Sequence, residues 1–392
     1  MVTELRLDFE VLTPLFLGGA GQEAELRPPA LKGLLRFWYR AVDPRFSESW
    51  QDTTMTREAR FFGSTAYGAG QSPFLLRIQS PLPKPLSWDD FRTVHQEGTE
   101  KKARDGLVYL GFPFQLPGNR HRNAIPPGHT FTVRCIVPRG GKDTDLRRVL
   151  VAAWWLLGHL GGSGSRARRG FGSLVLQSWT VENDLWPELA DLPLLTSAAS
   201  PDEWLAGLDR ARNTFQTWLG DFAAADTDNR HHPHLGKAFR YLLLTKPFPR
   251  QQWAMAMAHM GSLMQEFRMR RAPDYQEVKN QVLAQSQQEG RPLQYTPDRA
   301  SFGLPLTFRY SSGGNITVVP YDQERKTTFE RQGSLLQLRL VVIREQLYPL
   351  FLRLDGDVPG ETPPGAIRGQ ARPLRAFRKN AMDLFLDSLK EK

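Results

Sequence analysis

Residues 145–181 read DLRRVLVAAWWLLGHLGGSGSRARRGFGSLVLQSWTV and contain the most informative pattern of the chain. Asp145 is typical of a helix N-cap, so a helix is predicted from Leu146 to about His159. The next segment, residues 161–172, holds five glycines and three arginines, which predicts a loop. The residues from Gly172 to Val181 then indicate a strand.

The residues before this stretch predict the other strands and helices of the same domain. Residues 4–12 alternate apolar and polar side chains, which predicts a half-buried strand. Pro28-Pro29 opens a helix that should run to about Val42, and Phe74 to Ile78 and Thr130 to Val137 are two further predicted strands. The order strand, helix, strand, strand, helix, strand predicts a ferredoxin-like (RRM-like) α+β domain over residues 1–191.

A shift to Ser, Ala, Pro and Leu after Asp191 marks a predicted domain boundary. Residues 192–392 are expected to form a second α+β domain, a divergent ferredoxin-like domain with extra helices. Its predicted helices cover residues 202–224, 251–271, 274–288 and about 375–389, and its predicted strands cover residues 304–310, 335–343 and 350–354.

The composition favours an anionic partner. The 392 residues carry a formal charge of +10, which suits nucleic acid or an acidic membrane surface. The charged N-terminus and the absence of an apolar run of about 18 residues argue against a signal peptide and a membrane span. The single cysteine, Cys135, excludes an internal disulfide. We therefore expect a cytoplasmic protein without membrane partners.

The loop at 161–172 has the chemistry of a phosphate clamp. Glycine amides and serine hydroxyls can donate to phosphate oxygens, arginines add charge and bidentate geometry, and Phe171 could stack on a base. The loop is neither a Walker A motif, which needs Lys-Ser/Thr at its end, nor a Rossmann fingerprint, which lies between a strand and the following helix. A solvated surface hairpin is the alternative interpretation.

Three further stretches carry a resemblance to a known family. The N-terminal run Thr13-Pro14-Leu15-Phe16-Leu17-Gly18-Gly19-Ala20 and the segment ELRPPALKGLLRFWYRA at 25–41 are similar to the RAMP superfamily of CRISPR-associated RNA-binding proteins, as is the glycine-rich loop. Within that superfamily, the N-terminal run and the segment at 25–41 resemble the first RAMP subunit of the Cmr (type III-B) complex. Phe302-Gly303-Leu304-Pro305 is similar as well, whereas RQGSLL at 331–336 lacks the second Arg and the Pro of the family stretch.

The resemblance implies a role as well as a fold. It implies two ferredoxin-like domains in a non-catalytic subunit of a multi-subunit ribonucleoprotein that acts in antiviral defence. Its partners would be the CRISPR guide RNA, held near its 3′ end, the target RNA and other RAMP subunits. The RNA-binding positions carried over are Arg27, Lys32, Arg36 and Arg40 around the first helix and, in the loop, Gly162, Ser163, Gly164, Ser165, Arg166, Arg168, Arg169 and Phe171. A solvated basic helix face remains the alternative for the first four.

The main rival function is a metal-independent endoribonuclease that processes CRISPR transcripts. Its candidate general acid or base is His159, at the end of the second helix. A histidine stabilised by the helix dipole is the simpler explanation. His231, His232 and His234 have no recognised metal-ligand spacing, so we expect no metal and no cofactor. The C-terminal residues Arg368, Arg372, Arg375, Arg378 and Lys379 are a possible second RNA surface or a solvated helix face.

Overall fold

The computed structural model describes residues 2–18, 23–51, 53–66, 68–81, 84–88, 101–116, 122–138, 142–181, 186–269, 272–285, 292–310, 314–370 and 372–390. Among these residues, no helix is both long enough and apolar enough to span a bilayer. The structure is a mixed α+β arrangement whose sheets are antiparallel.

The N-terminal half contains the predicted strands and helices, with short elements inserted between them. In chain order these are β1 (Thr3–Val11), α1 (Pro28–Arg40), α2 (Arg57–Phe62), β2 (Leu75–Gln79), β3 (Leu86–Ser87), α3 (Lys101–Leu110), β4 (Asn123–Ala124), β5 (Thr130–Val137), α4 (Thr144–His159) and β6 (Leu174–Val181). The main sheet has the order β2-β5-β1-β6, with every pair antiparallel. Alternate side chains of β1 are buried, as the period-two pattern predicts.

The start of α4 differs from the prediction by two residues. Asp143, not Asp145, is the N-cap, because its carboxylate accepts a hydrogen bond of 3.1 Å from the amide of Leu146. Asp145 lies in the first turn instead, where a negative charge favours the helix dipole. Two aspartates spaced this closely are equally plausible caps in a sequence, and only the hydrogen bond separates them.

The C-terminal half contains two sheets. Its elements are α5 (Pro201–Leu219), β7 (Arg240–Leu243), β8 (Phe248–Pro249), α6 (Trp253–Met269), α7 (Ala272–Gln285), β9 (Leu306–Tyr310), β10 (Gly314–Asp322), β11 (Thr327–Thr328), β12 (Leu336–Ile343), β13 (Gln346–Arg353), β14 (Gly365–Ile367) and α8 (Ala381–Leu389). One sheet has the order β12-β13-β7, with β8 also on β13, and the other has the order β11-β10-β14, with β9 also on β10.

Several boundaries in this half are corrected by local chemistry. The helix predicted at 202–224 ends at Leu219, because Gly220 takes a φ of 111° that breaks the helix. The last helix begins at Ala381 and not near Arg375, since Asn380 caps it by accepting from the amides of Met382 and Asp383. Residues 270–271 and 286–288 of the other two predicted helices lie outside the described residues.

Two hydrophobic clusters each contain residues from both halves of the chain. The indole of Trp155 in α4 packs against the ring of Phe215 in α5, with centroids 5.5 Å apart. From β12, Arg339 is 3% exposed and donates a hydrogen bond of 2.7 Å to the carbonyl of Gly161, at the start of the glycine-rich loop. The loop therefore lies at the junction of the two halves.

Candidate nucleic-acid interface

The glycine- and arginine-rich loop at 161–172 is held by the protein's own backbone. The amide of Ser163 donates to the carbonyl of Gly172 over 2.9 Å, and the amide of Ser165 donates to the carbonyl of Phe16 over 2.8 Å. Two of the glycine amides that are predicted to meet phosphates are held in the same way, since that of Gly170 donates to the carbonyl of Ala167 over 3.2 Å and that of Gly172 to the carbonyl of Pro14 over 3.0 Å, and for these two the prediction is wrong. Amides that already donate inside the protein are not available to an RNA backbone.

Phe171 is a core residue and not a base-stacking residue. Its side chain is 0% exposed, and its ring lies 5.2 Å from that of Phe114 and 6.0 Å from that of Phe16. The neighbouring Ser163 is also 0% exposed, so its hydroxyl cannot contact a ligand in this conformation. The predicted RNA contacts of Phe171 and Ser163 are therefore wrong, because both side chains are buried inside the protein.

The glycines of the loop serve the same packing. A Cβ at Gly172, whose φ is 64°, would lie 2.0 Å from the carbonyl oxygen of Ser163. Gly162 forms an isolated antiparallel bridge with Ser173 and is half-buried. Their small size is therefore explained by the close approach of one backbone segment to another.

The three arginines of the loop point at carbonyl oxygens of neighbouring segments. Arg166 donates from Nε to the carbonyl of Leu110 over 2.9 Å, at the end of α3. Arg168 donates to the carbonyl of Ser334 over 3.2 Å. Arg169 donates to the carbonyl of Phe302 over 3.1 Å. Each guanidinium is thus fixed in place by a backbone acceptor that carries no charge.

No carboxylate of the described residues forms an ion pair with Arg166, Arg168 or Arg169. Burial, with smaller contributions from neighbouring arginines, lowers the pKa of Arg166 to about 10 and that of Arg169 to about 9. Because both values lie above neutral pH, the side chains keep their charge. The loop therefore holds positive charge that no carboxylate in the described part of the chain pairs with.

These arginines lie on the wall of an open groove of about 1680 Å³ between the two halves. The other walls are formed by the end of α3 with the turn after it, the end of α6, the segment around β9, the segment before β12, and single residues of β10 and of the chain after β14. The lining residues that matter below are Tyr109, Phe112, Gly164, Ser165, Arg166, Arg168, Arg169, Arg268, Phe329, Glu330, Arg331 and Arg368.

The groove is strongly basic. Six arginines line it, namely Arg166, Arg168, Arg169, Arg268, Arg331 and Arg368, against one carboxylate, Glu330, among the described lining residues. Arg331 and Arg368 are exposed, and Arg268 donates to the hydroxyl of Tyr109 over 2.9 Å. Such a distribution attracts a chain of anions, and guanidinium groups suit phosphates in particular.

The sequence does not single out Arg268 on its helix or Arg331, whose stretch departs from the family pattern. It does name Arg368, but only with the C-terminal tail as a possible second RNA surface. The usable signal was the pair of short matches at 302–305 and 331–336, because both stretches contribute residues to the groove. Five predicted loop residues also line it: Gly164, Ser165, Arg166, Arg168 and Arg169.

The basic residues of α1 lie elsewhere and are engaged within the protein. Arg36 and Arg40 both bind the carboxylate of Glu58, with N–O distances of 2.7 Å and 2.6 Å, and Glu58 is 8% exposed. Lys32 donates to the hydroxyl of Ser72 over 2.8 Å, and burial lowers its pKa. These contacts join α1 to α2 and to the segment before β2, so Lys32, Arg36 and Arg40 are engaged within the protein and do not form a solvated basic face. Arg27 is exposed at the N-cap of α1 and does not line the groove.

His159 does not have the surroundings of a catalytic acid or base. It is 2% exposed and stacks against Trp155 at 4.7 Å, and its Nε2 atom is buried without a hydrogen-bond partner among the described residues. Burial lowers its pKa to about 3, so the ring is neutral at pH 7. The interpretation as a histidine charged by the helix dipole is therefore wrong as well.

Of the three histidines at 231–234, His232 and His234 pack against aromatic rings, whereas His231 is exposed. His232 lies 5.4 Å from the ring of Phe37 and 5.7 Å from that of Phe46, and burial lowers its pKa to about 4. Within the described part of the chain, no group of three or more His, Cys, Asp or Glu side chains is arranged to hold a metal ion.

In the C-terminal tail, Arg378 pairs with Glu277 at 2.8 Å.

Comparison with known proteins gives a consistent set of similarities. Residues 8–175 match the profile of the RAMP superfamily. The chain is 27% identical over 198 residues to the CRISPR system Cmr subunit Cmr1-1 of Pyrococcus furiosus, a match that spans 50% of this chain and 52% of that protein. The chain thus matches about half the length of that relative.

Two solved structures resemble the whole fold. The crystal structure of Cmr1 from Pyrococcus furiosus in its apo form is 19% identical, with a TM-score of 0.55 and coverage of 99% of this chain and 97% of that one. A chain of the cryo-EM structure of the type III-B Cmr-beta complex bound to cognate target RNA and AMPPnP is 14% identical, with a TM-score of 0.57 and coverage of 100% and 99%. At these identities the likeness concerns the fold. The profile match concerns residues 8–175, so it is the N-terminal part of the chain that is similar in sequence to the RAMP superfamily.

Proposed function

We propose that this protein is a non-catalytic RNA-binding subunit of a type III-B CRISPR ribonucleoprotein and that the arginine-lined groove binds the RNA backbone. The single observation that carries the proposal is the set of six arginines facing one carboxylate among the described lining residues. A protein that keeps so much unpaired positive charge in one concave surface is matched by a polyanion.

The geometry of the loop arginines supports phosphate binding. A guanidinium has five N–H donors, and the contacts to carbonyls use only some of them. Arg166, for example, uses Nε and Nη2 on the carbonyl of Leu110, which fixes the side chain without neutralising it. Anchored in this way, the remaining donors are pre-oriented, so less side-chain entropy is lost when a phosphate binds.

The likeness to Cmr1 proteins suggests the biological setting. One similar structure is titled as a Cmr-beta complex bound to cognate target RNA. We infer that this chain likewise assembles with other RAMP subunits, holds the guide RNA near its 3′ end and helps to capture target RNA in antiviral defence. The buried, neutral His159 offers no support for the rival endoribonuclease.

We also infer that the chain consists of two ferredoxin-like domains, at 1–191 and 192–392. The C-terminal half repeats part of the first pattern, because β7, α6, β12, β13 and α8 follow in the order strand, helix, strand, strand, helix. The sheet order β7-β13-β12 matches the order β1-β5-β2 of the first sheet. In this interpretation the fourth strand is missing from the described residues of the second domain, and α7 with β9, β10, β11 and β14 is an insertion.

The first test measures how salt weakens the binding of single-stranded RNA to the purified chain. Each phosphate contact contributes a slope of about −0.7 to the plot of log K against log salt. The double variant Arg331→Gln/Arg368→Gln removes two exposed groove arginines, so the slope should become shallower by about 1.4. Fluorescence anisotropy over a salt series gives the slope directly.

The matched control is Arg210→Gln, which removes an exposed arginine on α5 that does not line the groove. Its slope should change by well under half of the change seen in the double variant. Equal slopes for the double variant and the wild-type protein would exclude the groove as the RNA site.

A further inference from the structure

Two aromatic side chains of the groove are exposed. Phe112 is 49% exposed and Phe329 is 38% exposed, and both line the groove. Isolated exposed apolar residues are common on protein surfaces and need no explanation. These two differ because they lie among the six arginines, one on the N-terminal half and one on the C-terminal half.

Phe112 sits on a turn whose position is fixed by the core. It opens the short 3-10 helix Phe112–Gln115, in which Phe114 is 1% exposed and stacks on Phe16 with centroids 4.0 Å apart. The amide of Phe114 donates to the carbonyl of Gly111 over 2.9 Å. A Cβ at Gly111 would lie 2.3 Å from the ring of Trp88, so the turn is packed tightly on its inner side. The outward ring of Phe112 is thus carried by a rigid support.

Phe329 is also supported by its backbone. It follows β11, and its amide donates to the carbonyl of Pro320 in β10 over 3.1 Å. Its neighbours in the chain, Thr328 and Glu330, line the groove with it. The ring is therefore held at the groove wall by the β10–β11 ribbon.

Aromatic rings beside positive charge are a recurring means of binding single strands. The arginines attract the backbone, and each ring can stack on one base, which every base permits because each has a π face. In a duplex these faces are covered by the neighbouring pairs, so an exposed phenylalanine finds no base to stack on.

We propose, on the basis of the proposed function, that Phe112 and Phe329 each stack on an unpaired base, so that the groove takes single-stranded RNA and rejects the duplex. The arginines supply attraction to any polyanion. The two phenylalanines supply the preference for a strand with free bases.

The test compares three labelled ligands on the purified full chain: a single-stranded RNA, the same RNA annealed to its complement, and inorganic polyphosphate. Phe112→Ala and Phe329→Ala should each weaken binding of the single strand by about five- to 150-fold. Binding of polyphosphate, which has no bases, should stay within about twofold of the wild-type value. Phe112→Tyr keeps a stacking ring and should restore the affinity for RNA.

The outcomes separate this inference from the proposed function. If either alanine variant weakens RNA and polyphosphate equally, or neither weakens RNA, or the duplex binds as tightly as the single strand, the stacking role is refuted. If Arg331→Gln/Arg368→Gln leaves the binding of RNA and polyphosphate unchanged, the groove itself is refuted. Both proposals are supported if the alanine variants and the double arginine variant all lose affinity for RNA, and if only the double arginine variant also loses affinity for polyphosphate.

Discussion

Arg169 and Arg339 show how single residues set the electrostatics of this protein. Arg339 is buried and Arg169 is half-buried, both donate to backbone carbonyls, and burial lowers the pKa of each to about 9. Carbonyl dipoles offset part of the cost of removing the cation from water but leave its net charge in place. The positive charge of the groove is thus backed by a further buried arginine behind the loop.

His159 makes a testable contribution at this scale. Its pKa is lowered to about 3 in the folded chain from a usual value of 6.5, so between these values the unfolded chain binds the extra proton. Stability should therefore fall as the pH falls below 6.5, and this residue alone should account for about 2 kcal/mol between pH 7 and pH 5. Urea unfolding at both pH values, compared with His159→Leu, measures the difference.

The control for that measurement is His231→Gln, because His231 is exposed. It should keep the pH dependence of the wild-type protein, whereas His159→Leu should lose about 2 kcal/mol of it. A pH dependence in His159→Leu as steep as that of the wild-type protein would contradict the assignment of this effect to the buried ring.

At the residue scale, the sequence predicts which side chains are basic but not where their charge is used. The spacing of Arg36 and Arg40 places them on one helix face, yet their common partner is Glu58, which lies on a different helix. In the same way the glycine-rich loop indicates phosphate chemistry, whereas Phe171 closes an aromatic core with Phe114. In both cases the role of the side chain depends on a partner that is distant in the sequence.

At the scale of elements, the contact between helices α3 and α6 sets the position of one wall of the groove. The two helices meet through Gly106 and Gly261, and a Cβ on Gly106 would lie 2.0 Å from the carbonyl of Ala258. A Cβ on Gly261 would lie 2.1 Å from the carbonyl of Gly106. The backbones thus touch at a point where only glycine fits, and α3 leads directly into the turn that carries Phe112.

Two glycine-to-alanine substitutions should have opposite effects. Gly106→Ala should destabilise the protein by about 1–3 kcal/mol, because the added methyl group forces the helices apart. Gly33→Ala, on an exposed face of α1 with nothing within 4 Å, should stabilise it by about 0.5–1 kcal/mol. Chemical denaturation of both variants and of the wild-type protein measures whether each substitution lowers or raises the free energy of unfolding. Equal changes in both would contradict the close contact of α3 and α6.

The elements with strong periodicity are predicted well from the sequence, and the others are not. The strand predicted from Thr130 to Val137 has those bounds in the structure, because a clean alternation defines it. By contrast β10, at Gly314–Asp322, was not predicted, since it contains Gly and Pro and its pairing with β9 and β14 becomes visible only in the fold. Short elements such as α2 are hard to predict for the same reason, because they are held in place by partners from elsewhere in the chain, such as Arg36 and Arg40.

At the scale of the whole molecule, the shared core couples the two halves. One hydrophobic cluster joins Trp155 and Leu157 to Phe215 and Leu350, and another joins Phe16 and Phe171 to Leu338 and Phe351. Neither half buries its apolar surface without the other. We therefore expect the chain to unfold as one cooperative unit despite its length.

Equilibrium unfolding in urea tests this coupling. Tryptophan fluorescence and far-UV circular dichroism should give the same midpoint, since a single transition affects both probes. The separate fragment 1–191 should bind the dye ANS, because residues such as Phe16 and Phe171 would lose their cover. Two separate midpoints, or a fragment that stays compact and binds no dye, would show that the halves are independent.

The division of the groove between the two halves has a consequence for the lifetime of the protein. In the empty state, six like charges repel one another across the seam and favour its local opening, which exposes the chain to proteases. A bound polyanion cancels that repulsion and, at a hundredfold excess over its Kd, adds about 2.7 kcal/mol to the free energy of unfolding. Subunits that have found their nucleic acid should therefore outlast those that have not, so that degradation removes surplus copies without a dedicated sensor.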